Sequence, residues 1–123
     1  MTVARILVVE DDPDVALLVS TRLRRASHEV STASDGQAGL DAVRSERPDL
    51  VVLDWMMPRL TGIQVCQAIR EDPDVAHTRV VLLTARAQDQ DMAAAYAAGV
   101  DDYILKPFDA KDLVARVDAL LTA

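Results

Sequence analysis

Residues 50–62 read LVVLDWMMPRLTG. Four apolar residues run directly into Asp54, and Trp55, Met56 and Met57 follow at once. Such a run has the composition of a parallel strand buried on both faces, where an ionised carboxylate is costly. The carboxylate is tolerable if it stands at the strand's carboxyl edge rather than in its interior. Whether the neighbouring strands end in the same way decides the fold and the site together.

Outward from this stretch, RILVVE (5–10), RVVLLT (79–84) and DYILK (102–106) are further short apolar runs with the look of buried parallel strands, and EVSTA (29–33) is a more polar edge candidate. Helical patterns lie between them. Asp12-Pro13 reads as an N-cap followed by proline in the first turn, with Val15, Leu18, Val19 and Leu23 as one apolar stripe. Asp35-Gly36 opens a second helix with Leu40 and Val43 inward, and a third runs from about Gly62 to Glu71. An alanine-rich fourth spans about Gln88 to Ala98, and Gly99 suits the left-handed position after it. The fifth runs from Asp109 to Leu121 with Leu113, Val117, Leu120 and Leu121 inward. Five βα units of this size predict one α/β domain over 1–123: an open parallel sheet covered by helices on both faces. Ligands of such sheets bind outside the carboxyl ends of the strands.

Those ends are polar throughout. The first strand ends in Glu10-Asp11-Asp12, the third in Asp54, the fourth in Thr84 and the fifth in Lys106. In a parallel sheet all of them converge on one edge. Carboxylates ~5 Å apart repel by roughly 3 kcal/mol per pair at an effective dielectric of about 20, so a divalent cation is the natural remedy. The donors are hard oxygens with no His or Cys nearby in sequence, which favours Mg²⁺ or Mn²⁺ over zinc or copper. Cation, lysine and hydroxyl together suit the equatorial oxygens of a transferring phosphoryl group, with Asp54 as nucleophile.

Composition narrows the alternatives. Half of the 123 residues are hydrophobic, so one core is affordable and wholesale disorder is excluded. A formal charge of −7 argues against direct binding of nucleic acid or an anionic membrane by this domain. The single cysteine, Cys66, cannot form an internal disulfide and fits as a small core residue. With no signal-peptide pattern and no apolar run long enough to span a bilayer, the expectation is a soluble, cytoplasmic protein. His28 and His77, in polar connecting segments, read as solvated.

The pieces VVEDD (8–12), VVLDWMMPRLTG (51–62), LLTAR (82–86) and GVDDYILKPF (99–108) together resemble a response-regulator receiver domain of the chemotaxis-regulator kind, in order and spacing, over essentially the whole chain. DWMMP, LTAR and DDYILKPF are most similar to receivers of the winged-helix transcription-factor branch. The resemblance implies a flavodoxin-like five-stranded sheet in the order 2-1-3-4-5 with five helices. It implies that Asp54 accepts a phosphoryl group from the phosphohistidine of a sensor histidine kinase. Asp11, Asp54, the Met56 carbonyl and, through water, Glu10 would hold Mg²⁺. Thr84 and Lys106 would contact the phosphoryl oxygens, and Tyr103 would be the aromatic switch that turns inward as Thr84 moves. Lys106-Pro107 falls where the family has a cis peptide. The implied partners are a kinase, an output domain or effector protein, and a weak homodimer strengthened by phosphorylation through Asp102, Asp112 and Arg116. Met92 and Ala97 are apolar where that branch usually carries charge, so part of the dimer's charge network is missing.

Rival chemistries fit less well. A phosphatase of the haloacid-dehalogenase kind needs a second acid two residues after the nucleophile, where this chain has Met56. No turnover enzyme is therefore expected. A flavin carrier needs a hydroxyl- or glycine-rich phosphate loop where Glu10, Asp11 and Asp12 stand, and the acidic run lacks the glycine and spacing of an EF-hand.

Overall fold

The computed structural model of the chain describes residues 3–122. Ten elements alternate strictly: β1 (Arg5–Val9), α1 (Pro13–Arg25), β2 (Glu29–Ala33), α2 (Gly36–Glu46), β3 (Leu50–Asp54), α3 (Gly62–Glu71), β4 (Arg79–Thr84), α4 (Asp89–Ala98), β5 (Asp102–Leu105) and α5 (Ala110–Thr122). All strand pairs are parallel, in the order β2-β1-β3-β4-β5. The expected architecture and strand order hold, with element ends within a residue of those read from the sequence.

Local chemistry explains the helix boundaries. Asp12 caps α1, its carboxylate accepting from the Asp14 and Val15 N–H groups, and Pro13 sits in the first turn. Asp35 caps α2 through the Ala38 N–H. At α3, Thr61 and Gln64 satisfy each other's backbone donors in a capping box. Gly99 ends α4 at φ 104°.

The two-residue period of the strands sorts the core into two layers. Leu7, Val9, Val51, Leu53, Val80 and Leu82 pack with Tyr103 against α2, α3 and α4. Ile6, Val8, Leu50, Val52, Val81, Leu83 and Ile104 pack against α1 and α5. Cys66 is fully buried in the first layer, where burial, assisted by the Asp101 charge, pushes its thiol up to about 11 and keeps it unreactive.

Two expectations need correction. Leu18 is 45% exposed, so the buried face of α1 is narrower than its apolar stripe and rests on Val19 and Leu23. His28 is buried rather than solvated. Its Nδ1 accepts from the Ala4 N–H at 3.1 Å and its Nε2 lies 2.8 Å from an Asp118 oxygen, clipping the α1–β2 turn to α5. His77 is exposed as expected.

Candidate functional site

At the carboxyl edge the strand alternation continues past the strand ends. Glu10 extends the row of Ile6 and Val8, and Asp54 extends that of Leu50 and Val52. Glu10, Asp11 and Asp54 each offer a carboxylate oxygen, and these lie within 4.8 Å of one another. Glu10 and Asp54 are buried, at 4% and 8% exposure, whereas Asp11 faces solvent. The Lys106 ammonium stands between the buried pair, 3.3 Å from Glu10 and 3.5 Å from Asp54. The Lys106–Pro107 peptide is cis, as the motif implied.

One cation for two buried carboxylates leaves excess negative charge. Burial and then the Asp54 charge push the Glu10 carboxyl up to about 7, against the pull of the Asp12 N–H and Lys106. The donor set is all oxygen and carries more than one negative charge, so it fits a small hard divalent ion such as Mg²⁺.

The backbone around Asp54 is held by close packing. The Gly62 N–H donates to the Trp55 carbonyl at 2.8 Å, and a Cβ on Gly62 would meet the Asp54 carbonyl oxygen at 2.3 Å. Only glycine lets α3 begin so near the strand end. Sequence alone marks Gly62 as a helix-entry residue and misses this role.

Thr84 and Tyr103 belong to the opposite layer. Thr84 follows Val80 and Leu82 in the alternation; it is buried, and its hydroxyl accepts from the Arg86 N–H at 3.1 Å. Tyr103 lies opposite Leu82 and is only 5% exposed, with its hydroxyl donating to the Arg86 carbonyl. The ring thus lies inward in this structure. Burial, with the Asp91 charge adding to it, pushes the phenol up and keeps it a donor.

The mouth carries Met56, 59% exposed, and Arg86. The Arg86 guanidinium lies 4.4 Å from the centroid of the Trp55 ring and 3.0 Å from Asp91, and Met56 sulfur is 3.7 Å away. The sequence offers Arg86 two nearby acids, Asp89 and Asp91, and Asp91 is the partner found. It gave no sign of Trp55; an aromatic directly after a strand-end acid and an arginine two residues past the threonine are the available signals. Met57, by contrast, is a core filler, as its type suggests.

A doubly wound α/β domain with carboxylates, a lysine and a hydroxyl converging at one strand edge defines the receiver class of signalling domains. The chain belongs to the response regulator receiver domain family, whose description matches residues 6–118. It is therefore a two-component signal-transduction receiver. Among curated relatives, it is 44% identical over 117 residues to the DNA-binding dual master transcriptional regulator RpaA of Synechocystis sp., covering 95% of this chain and 48% of that one. It is 45% identical to the DNA-binding response regulator MtrA of Mycolicibacterium smegmatis, covering 95% and 50%. The chain spans about half the length of these curated relatives. Among solved structures, the BeF3-activated DrrB receiver domain superposes with a TM-score of 0.90 at 34% identity, covering 99% and 100% of the two chains. A response regulator from Chloroflexus aurantiacus gives a TM-score of 0.93 at 31% identity, covering 99% and 100%. Among the described residues no helix is long and apolar enough to cross a membrane.

Proposed function

We propose that Asp54 is the phosphoacceptor of this receiver and that the domain spanning 1–123 acts as a switch rather than a turnover enzyme. The observation that carries the reading is the placement of Asp54: a buried carboxylate beside Glu10 and Asp11, with the Lys106 ammonium 3.5 Å away. A carboxylate oxygen of Asp54 attacks the phosphorus of a phosphohistidine; the O–P bond forms as the N–P bond breaks, and its electron pair leaves on the imidazole. Glu10, Asp11, Asp54 and the Met56 carbonyl would hold Mg²⁺, which when bound neutralises charge on the phosphoryl oxygens. Lys106 supplies a fixed positive charge to one phosphoryl oxygen, and Thr84 a hydroxyl donor to another. Tyr103 is the aromatic that reports the state of Thr84 to the face formed by α4, β5 and α5.

The partners are a sensor histidine kinase on the input side and an output domain or effector on the other, in the cytoplasm. RpaA and MtrA are DNA-binding regulators; in a full-length regulator DNA binding would fall to a segment beyond the receiver, whose own charge is −7. A weak homodimer strengthened by phosphorylation is the remaining partner. Within one chain Arg116 already pairs with Asp102 at 3.2 Å and Asp112 at 3.1 Å, so a dimer through these residues must exchange existing ion pairs for new ones. That exchange keeps it weak.

The test is incubation with a small acyl phosphate and Mg²⁺, followed by mapping of the labelled residue. Label on Asp54, abolished by Asp54→Asn and by omitting the metal, is expected. Stable label elsewhere would overturn the assignment.

A further inference from the structure

The inward Tyr103 ring is held by a short chain of contacts, every member of which is a residue of the polypeptide. Its hydroxyl donates to the Arg86 carbonyl. The side chain of the same residue is fixed in turn. Three anchors hold it. The guanidinium lies over the Trp55 ring, it pairs with Asp91 in the first turn of α4, and it touches the Met56 thioether. Trp55 in turn meets the Tyr103 ring edge-on, with centroids 6.5 Å apart. The contacts therefore close a loop: Tyr103 to the Arg86 backbone, the Arg86 side chain to Trp55, and Trp55 back to Tyr103. The Trp55 end of this loop follows directly on Asp54, and the Asp91 end sits on α4.

We propose that Arg86 is a positioning residue that clamps Tyr103 inward in the resting protein, so that phosphorylation consolidates this arrangement instead of creating it. The inference rests on the reading of Tyr103 as the switch. A planar guanidinium suits the role because it can stack on an indole and bond a carboxylate at once, which an ammonium does less well. The Asp91 carboxylate is largely shielded whereas the guanidinium is partly exposed, so the pair is anchored from the α4 side. Losing the side chain frees the Arg86 peptide to reorient and leaves the Tyr103 hydroxyl without a fixed acceptor.

Two readouts separate this from a merely structural role. Trp55 is the only tryptophan of the chain, so its emission reports the stack. The ring signals of ¹³C-labelled tyrosine report Tyr103, with Tyr96 as the only other tyrosine. Both are recorded with and without beryllium fluoride and Mg²⁺, in the wild type, Arg86→Ala, Arg86→Lys and Asp91→Asn. Arg86 lies at the surface, and thermal melts verify that each variant is folded; Asp91→Asn serves should Arg86→Ala fail to fold. The expected result is a small Tyr103 displacement on adding beryllium fluoride to the wild type. In Arg86→Ala the displacement should be larger by about threefold, the shift in a two-state ratio that follows loss of one stacking contact. Arg86→Lys should fall between, and Trp55 emission should change in Arg86→Ala.

A large Tyr103 displacement in the wild type would overturn the clamp and leave the switch reading standing. So would unchanged Trp55 emission in Arg86→Ala. Tyr103 signals that stay at their wild-type positions in every variant, with and without beryllium fluoride, would overturn both.

Discussion

Removing the Glu10 charge should stabilise the metal-free protein, and by an amount that depends on pH in a fixed direction. Glu10 is buried beside Asp54, and its carboxyl is pushed up to about 7 from 4.5. Between those two values the folded chain binds more protons at this site than the unfolded chain. Stability therefore falls as pH rises through the window. The penalty is absent below the unfolded value and complete above the folded one. A rise from 4.5 to about 7 corresponds to at most about 3 kcal/mol, and relaxation of a site open to solvent at Asp11 reduces this to about 1–2 kcal/mol. Glu10→Gln retains an oxygen for the Asp12 N–H, which Glu10 accepts at 3.2 Å, and removes the titration. The assay is urea unfolding of wild type and variant in EDTA, from about pH 5 to about pH 8. Groups away from the pocket contribute equally to both proteins, so the difference isolates Glu10 together with its coupling to Asp54 and Lys106. The variant should gain about 1–2 kcal/mol on the wild type across that range, and millimolar Mg²⁺ should narrow the gap by stabilising the wild type. A gap that stays constant or shrinks with pH in EDTA would refute the account of the pocket as charge-strained.

Arg59 holds φ at 73°, and its Cβ is strained there, so Arg59→Gly should stabilise the domain by about 0.5–1 kcal/mol in the same denaturation assay despite the more flexible unfolded chain. Gly62→Ala should do the reverse: with a Cβ facing the Asp54 carbonyl at 2.3 Å, a loss of about 2 kcal/mol or more is expected, together with slower labelling of Asp54 by acyl phosphate. Met56→Asn combined with Arg86→Gln replaces an apolar cover and a pinned cation by groups able to align water in line with phosphorus. Decay of the phosphorylated protein, followed after removal of the phosphodonor, should accelerate by about tenfold, or about 1.4 kcal/mol off the barrier.

What the sequence made legible was whatever a local pattern records. Asp54 is visible because it ends an apolar run, and Asp12, Asp35 and Gly99 because caps and left-handed residues are chosen within one turn. The acidic cluster follows from the rule that parallel strands end on one edge. Contacts between distant side chains were not legible. His28 reads as solvated because its partner Asp118 lies 90 residues away. The inward Tyr103 ring depends on the Arg86 carbonyl, 17 residues earlier in a loop. Leu18 reads as core because helical spacing gives the apolar stripe but not the width of the helix layer that covers it.

The alternation of β3 and β4 makes the sheet a partition with a defined polarity. Asp54 is in phase with the α1 and α5 side, whereas Thr84 and Tyr103 are in phase with the α2, α3 and α4 side. On the proposed reading a phosphoryl group at Asp54 is sensed across the sheet through Thr84, and that crossing needs β4 to end on an even count from Val80. Deleting one residue between Val80 and Thr84 would exchange the hydroxyl for an aliphatic side chain at the crossing point. The barrier between the two surfaces would survive, but its one door would face the wrong room.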